Sequence, residues 1–176
     1  PDRITEYLPN KVADAMDETA RQSLLARYGN GKTANGDNYL RFLVEELKPA
    51  IDSAFSTHRE AQSTVIIGSS MGGMISLYAL SEYPHIFGRA ASLSTAWLSF
   101  VEPRDAVPLA MFNYLKNNFP VAGNVRLYLD YGTGESDAAY VATQQFVDLI
   151  IGEKGFTARD FQSRIFINDV HDEVSW

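Results

Sequence analysis

Residues 64–73 read TVIIGSSMGG, and this stretch gives the strongest indication of the fold. Its first part, Thr64 to Ile67, is a short apolar run rich in β-branched residues, which is typical of a strand buried on both faces of a parallel sheet. Gly68 to Gly73 predicts a tight turn, and Met71–Tyr83 predicts a helix that Pro84 stops. We therefore expect a strand, a sharp turn and a helix in direct succession.

The rest of the chain continues this alternation. Further strands are predicted over Arg89–Ser94, Val125–Asp130 and Arg164–Asn168. Helices are predicted over 19–28, 108–118 and 137–153, and over 37–55, where Asp37 is the expected N-cap and Pro49 the expected kink. Strands that alternate with helices indicate an α/β fold with a mostly parallel sheet and helices on both faces.

Composition excludes several classes of function. The chain has 176 residues, no cysteine and a formal net charge of −7. The charge opposes binding to nucleic acid, and the absence of cysteine removes disulfides, thiolate catalysis and cysteine-based metal sites. No apolar run approaches the roughly 20 residues that span a bilayer, so we expect no membrane insertion. The compartment stays open, as does assembly into a homo-oligomer.

Gly68-Ser69-Ser70-Met71-Gly72 matches the pattern G-x-S-x-G, which in this strand–turn–helix setting predicts a nucleophile at Ser70. The sharp turn lifts its hydroxyl above the sheet, and the N–H of Met71, at the helix N-terminus, is a candidate oxyanion-hole donor. The alternatives are a turn that only packs closely or a phosphate-binding turn. Residues 68–73 lack the G-K-[ST] ending that phosphate-binding loops carry, which argues against the second alternative.

A nucleophilic serine of this kind needs a base and an acid, which follow it in the order Ser, Asp or Glu, His. His58 precedes Ser70 and His85 follows it too closely, so His171 is the candidate base. The alternative for His171 is a solvated loop histidine.

Three acidic residues follow the third predicted strand. Asp130 lies on the strand itself and is expected to be structural, whereas Glu135 and Asp137 lie on the loop beyond it. We favour Asp137 as the acid because its short side chain at the start of a helix is held firmly. Glu135 is the alternative acid, and a helix N-cap is the alternative role for Asp137.

Segments along the whole chain carry a family resemblance. They are Arg3 with Glu6-Tyr7, Gly36-Asp37 with Leu47-Lys48-Pro49, the Ile67–Gly73 elbow, Tyr83-Pro84 with Phe87, Asp130-Tyr131-Gly132-Thr133, and His171-Asp172-Glu173 with Trp176. In this order they resemble the putative-esterase branch of the α/β-hydrolases, which includes enterochelin-type esterases, S-formylglutathione hydrolases and feruloyl esterases.

The resemblance implies an α/β-hydrolase fold and a serine hydrolase that cleaves small-molecule carboxylic esters through an acyl-enzyme, without a cofactor or a metal. It also implies that the first strands and the loop with the second oxyanion donor lie upstream of Pro1. We therefore expect residues 1–176 to be a single domain, truncated at both ends, that holds the C-terminal part of the fold. An acyltransferase of the same fold and a non-catalytic binding module are the alternatives.

The segment Ser94–Phe119 follows the second predicted strand and is rich in aromatic residues. Because the carboxyl ends of parallel strands face the site in this architecture, the segment is expected to wall a substrate pocket. Trp97 is the candidate substrate-binding residue there, with packing against the sheet as its alternative role.

Overall fold

The computed structural model describes residues 3–97 and 105–175. Its centre is a four-stranded, all-parallel sheet whose strands lie side by side in chain order. The strands are β1 (Val65–Ser69), β2 (Arg89–Leu93), β3 (Arg126–Gly132) and β4 (Phe161–Phe166). This architecture is the one that the alternation of strands and helices predicts.

Helices connect the strands and precede them. The α-helices are α1 (Arg3–Glu6), α2 (Asn10–Asp14), α3 (Glu18–Tyr28), α4 (Gly36–Arg41), α5 (Lys48–Ala54), α6 (Met71–Glu82), α7 (Ala106–Asn118) and α8 (Val141–Glu153). A π-helical segment, Phe42–Leu47, joins α4 to α5, and short 3₁₀ helices cover Ala61–Ser63 and Glu135–Tyr140. None of the helices within 3–97 and 105–175 has the length and apolar character needed to cross a membrane.

The long helical stretch before β1 differs from its prediction at its start. Asn35, not Asp37, is the N-cap residue, and the Asp37 carboxylate instead accepts a hydrogen bond from the Tyr78 hydroxyl at 2.6 Å. At Pro49 the backbone is helical, because this proline lies in the first turn of α5, after the π-helical segment. Because proline has no backbone N–H, Pro49 interrupts the helical hydrogen-bond pattern, and the π-helical segment lies next to this interruption.

The core lies between the sheet and the helices packed on it. Leu129 from β3, Leu77 from α6 and Ile151 from α8 are each completely buried. Helix α6, which follows the first strand directly, is buried along most of its length, from Gly73 to Leu80. This packing fixes the carboxyl ends of the strands relative to one another.

Those carboxyl ends share an unusual backbone feature. Among the described residues, five that are not glycine have φ in the left-handed region, and four of them follow the four strands: Ser70, Ser94, Glu135 and Asn168. Such a conformation costs roughly 1 kcal/mol or more for a residue with a side chain and clusters at functional sites. The C-terminal edge of the sheet is therefore the candidate location of a functional site.

The prediction that the first strand is buried on both faces is wrong. Val65 and Ile67 are 50% and 66% exposed, and Ile66 between them is buried. Strand β1 is an edge of the four-stranded sheet, and the apolar stripe on the preceding helices faces the same space: Leu47 and Ile51 are also exposed. The apolar residues of β1 and of this stripe line one open groove.

The last strand also differs from its prediction. Strand β4 spans Phe161–Phe166, three residues earlier at its start than the predicted Arg164–Asn168. Its position is set by pairing with β3, in which Leu127 is opposite Phe161 and Gly132 is opposite Phe166. As a result, Asn168 lies in the turn that leads to His171.

Candidate active site

Ser70 stands at the corner between β1 and α6. Its backbone has φ 57° and ψ −124°, and its N–H donates to the carbonyl of Leu93 in the neighbouring strand at 2.9 Å. Met71 is the first residue of α6, so its N–H is one of the helix-terminal amides that have no partner within the helix. A strained corner above the sheet, followed at once by a helix N-terminus, is the geometry that the sequence pattern predicts.

The glycines of this corner serve different purposes. A Cβ on Gly68 would lie 2.3 Å from the carbonyl oxygen of Gly72, so only glycine fits there. A Cβ on Gly72 would meet nothing within 4 Å, whereas one on Gly73 would lie 2.3 Å from Ser92 Oγ. The close approach of backbones at the elbow thus depends on Gly68 and Gly73, and the second of these lies outside the five-residue pattern.

His171 is paired with Asp137. The Nδ1 of His171 lies 2.6 Å from Oδ1 of Asp137, whose side chain is completely buried, while 20% of the imidazole is exposed. A carboxylate can only accept a hydrogen bond, so Nδ1 carries the proton and Nε2 is left with a lone pair in the neutral ring. Tyr140 packs edge-on against the imidazole, with 5.8 Å between ring centroids.

The second oxygen of Asp137 is also held. Oδ2 accepts from Ser94 Oγ at 2.6 Å and from the backbone N–H of Gly132 at 3.1 Å. A Cβ on Gly132 would lie 2.1 Å from the Asp169 carbonyl oxygen, so this glycine lets the loop that carries His171 approach the loop that carries Asp137. Sequence reasoning missed both Ser94 and Gly132 as partners of the acid.

The other candidates are more exposed than this pair. Glu135 is exposed at the start of the 3₁₀ helix, with φ 44°. The side chain of His58 is 88% exposed, with Glu60 4.0 Å away, and His85 is an exposed residue whose ring lies beside that of Tyr83. Of the acids and histidines proposed from sequence, the structure brings together Asp137 and His171.

Ser70 and His171 line the same groove. It has a volume of about 1160 Å³ and runs along β1. Met71 lines it beside Ser70, and its apolar wall includes exposed side chains of β1 and of the preceding helices together with the buried Ile66, Ile75 and Phe87. A hydroxyl and an imidazole therefore face one cavity that is large enough for a small organic molecule.

Trp97 does not reach this groove. Its side chain is completely buried, and its indole Nε1 donates to Oε1 of the buried Gln144 at 2.8 Å. That placement matches the packing alternative of the sequence analysis and leaves no indole surface for a substrate to contact. Trp97 is therefore not among the residues that line the groove.

Asp130 is a second buried acid at this edge of the sheet. It is 6% exposed, and its Oδ1 accepts from the N–H of Ser94 at 3.3 Å. Burial raises the pKa of Asp130 above its usual value, and the nearby charge of Asp137 acts in the same direction. Burial and then the Asp137 charge likewise raise the pKa of Tyr140. The environment of this edge thus disfavours negative charge on both neighbours of Asp137.

Within 3–97 and 105–175 no three His, Asp or Glu side chains are grouped so as to hold a metal. The lining of the groove includes the hydroxyl of Ser70, the imidazoles of His171 and His58, and the carboxyl groups of Asp52 and Glu173.

A parallel sheet with a serine at such a corner and an Asp–His pair at the same edge defines the α/β-hydrolase fold. Comparison with known proteins agrees. The enterobactin esterase FES from Shigella flexneri superimposes with a TM-score of 0.65 at 22% identity, covering 80% of this chain and 35% of that one. A ferulic acid esterase from Anaeromyces mucronatus superimposes with a TM-score of 0.61 at 17% identity, covering 79% and 50%.

The sequence profile of the Esterase family, described as "Putative esterase", matches residues 4–166. The chain belongs to this family. It is also 32% identical over 95 residues to the uncharacterized protein YbbA of Bacillus subtilis (strain 168), which is 54% of this chain and 34% of the relative. The chain thus spans about a third of the length of this relative and of the enterobactin esterase.

Proposed function

We propose that this chain carries the acyl-transfer site of a serine esterase, with Ser70 as nucleophile, His171 as general base and Asp137 as the acid that orients it. The observation that carries the proposal is that His171, which lines the same groove as Ser70, is paired with the buried carboxylate of Asp137. Family membership supports ester hydrolysis as the reaction.

The proposed reaction begins when Nε2 of His171 removes the hydroxyl proton of Ser70 as Oγ attacks the ester carbonyl. The negative charge that develops on the carbonyl oxygen is stabilised by the N–H of Met71 and by the positive end of α6. His171 then gives the proton to the departing alcohol, which leaves an acyl group on Ser70. Water, activated by the same imidazole, releases the acid and restores the free hydroxyl.

Asp137 has two tasks in this scheme. It fixes the tautomer in which Nε2 of His171 can accept a proton, and its charge stabilises the imidazolium that forms when Ser70 attacks. Complete burial strengthens both effects, because water does not compete for the carboxylate.

The test uses two readouts. Hydrolysis of p-nitrophenyl acetate and butyrate is measured for the wild-type chain and for Ser70→Ala, which we expect to lower kcat at least about 10³-fold. A fluorophosphonate reports the nucleophile without turnover: Ser Oγ displaces fluoride from phosphorus, the proton passes to His171, and the adduct is located by peptide mass spectrometry. The adduct is expected on Ser70.

Ser69→Ala is the matched control. Ser69 is the adjacent serine, at the end of β1, and it also lines the groove. It should keep its kcat and its phosphonate adduct. Equal hydrolysis rates for the wild-type chain and Ser70→Ala would rule out the proposal, as would an adduct found on Ser69.

A further inference from the structure

Ser94 is held at the end of β2 in a costly conformation. It is 3% exposed and has φ 40°, in the left-handed region that glycine adopts far more easily. Its backbone N–H donates to the carbonyl oxygen of Asp130 at 3.0 Å, which anchors it to the next strand. A serine kept in such a position suggests that its side chain is used.

The side chain of Ser94 is hydrogen-bonded to Asp137, the proposed acid of the site. Its Oγ lies 2.6 Å from Oδ2 of Asp137, and both residues are buried. An ionised carboxylate can only accept, so the serine hydroxyl donates. Glycine would relieve the backbone at this position, but it would remove the donor.

The two oxygens of Asp137 therefore have separate partners. Oδ2 is held by Ser94 and by the N–H of Gly132, while Oδ1 lies 2.6 Å from Nδ1 of His171. With donors on both oxygens, the carboxylate cannot rotate about its last bond without breaking one of these contacts. The donors that follow β2 and end β3 thus fix the direction in which Oδ1 points.

We propose that Ser94 is a positioning residue for the hydrolytic site, which acts by holding Asp137 in the orientation that aligns His171. The inference rests on the proposed function, because it assigns Ser94 to the same Asp–His pair. Ser94 does not touch the substrate in this scheme, so its effect falls on the chemical step and not on substrate binding.

The experiment compares Ser94→Ala with Ser94→Gly. Both remove the hydroxyl, but only the alanine keeps a side chain in the left-handed backbone. If the hydroxyl matters, kcat for p-nitrophenyl butyrate falls about ten-fold in both variants and KM stays unchanged. Ser94→Cys, with similar volume and a weak S–H donor, should give an intermediate kcat and serves as the second variant if the others do not fold.

A double-mutant cycle tests the route of the effect. If Ser94 acts through Asp137, adding Ser94→Ala to Asp137→Ala should not slow phosphonate inactivation any further. The proposal is overturned if the folded variants, as judged by circular dichroism, keep the wild-type kcat. It is also overturned if Ser94→Gly alone keeps that kcat, or if the two substitutions slow inactivation multiplicatively. Wild-type rates in Ser70→Ala would instead show that the proposed function itself is wrong.

Discussion

The substitution Asp137→Asn tests the site most sharply, because the structure dictates which way the new amide must face. The Oδ2 position accepts from the backbone N–H of Gly132, a group that can only donate. The carbonyl oxygen of the asparagine must therefore stay at Oδ2. Its NH₂ group is then placed opposite Nδ1 of His171, where the two heavy atoms of the native pair are 2.6 Å apart.

Two N–H groups cannot face each other at that distance. The imidazole of His171 has to move its proton from Nδ1 to Nε2, and Nε2 then has no lone pair to take the proton of Ser70. In Ser-His-Asp triads the same inversion of tautomer lowers kcat by about 10⁴-fold. We expect a loss of that size here, which corresponds to about 5 kcal/mol of transition-state stabilisation.

The assay is kcat for p-nitrophenyl butyrate at neutral pH, and Glu135→Gln is its control. Glu135 is exposed on the same loop, so neutralising it should leave kcat within two-fold of the wild-type value. Asp137→Asn should fold and should keep KM near the wild-type value. A kcat within ten-fold of wild type for Asp137→Asn, or an equal loss in Glu135→Gln, would refute the assignment of the acid.

Three further substitutions test other parts of the structure. Trp97→Phe leaves Oε1 of the buried Gln144 without its indole donor, so urea unfolding should show a loss of about 1–3 kcal/mol while KM is unchanged; a raised KM at unchanged stability would return Trp97 to the substrate site. Gly68→Ala brings a Cβ to 2.3 Å from the carbonyl oxygen of Gly72 and should cost about 1–3 kcal/mol in unfolding and also lower kcat; wild-type values for both would contradict the close packing of the elbow. Burial raises the pKa of Asp130, so its contribution to stability is fully present below the unfolded pKa and is lost as pH rises through the folded one. Asp130→Asn cannot ionise and should therefore gain in unfolding free energy relative to wild type as pH rises above the ordinary aspartate pKa of about 4; a difference that is constant with pH would contradict this.

The succession of strands and helices along the chain and the location of the elbow could be predicted from the sequence because they depend on local patterns. The run TVIIGSSMGG contains a strand, its turn and the start of a helix within ten residues. Asp137 and His171 follow later strands of the same parallel sheet, and the carboxyl ends of such strands meet at one edge. Chain order and topology were therefore enough to expect these side chains at a common site.

Exposure and register could not be predicted in the same way. Val65 and Ile67 are of residue types common in fully buried strands, yet both are exposed. Their exposure depends on which other elements pack against β1. The residues of the strand itself do not specify those elements. The predicted fourth strand, Arg164–Asn168, began three residues later than β4 does. The backbone pairing with β3 determines its actual limits, and register is a property of two strands together.

Ser94 was missed because a single serine at the end of a strand has no distinguishing pattern. One signal was available: Ser94 ends the strand next to the one that leads to the acid, so it comes to the same edge as Asp137. Gly132 gave a weaker signal, as a glycine just before the acid loop. Residues that orient a proposed catalytic carboxylate, such as Ser94 and Gly132, are the hydrogen-bond donors to its second oxygen.

The left-handed residues at the strand ends also matter for attempts to make this protein more heat-resistant. Their conformations reduce the stability of the folded state, so a search for stabilising substitutions would be drawn to them. At Ser70 and Ser94, glycine would relieve the backbone and remove a hydroxyl that the site is proposed to use. Asparagine tolerates this conformation well, so a substitution at Asn168 would gain little. At the exposed Glu135, glycine would relieve the backbone without removing a group that the site is proposed to use.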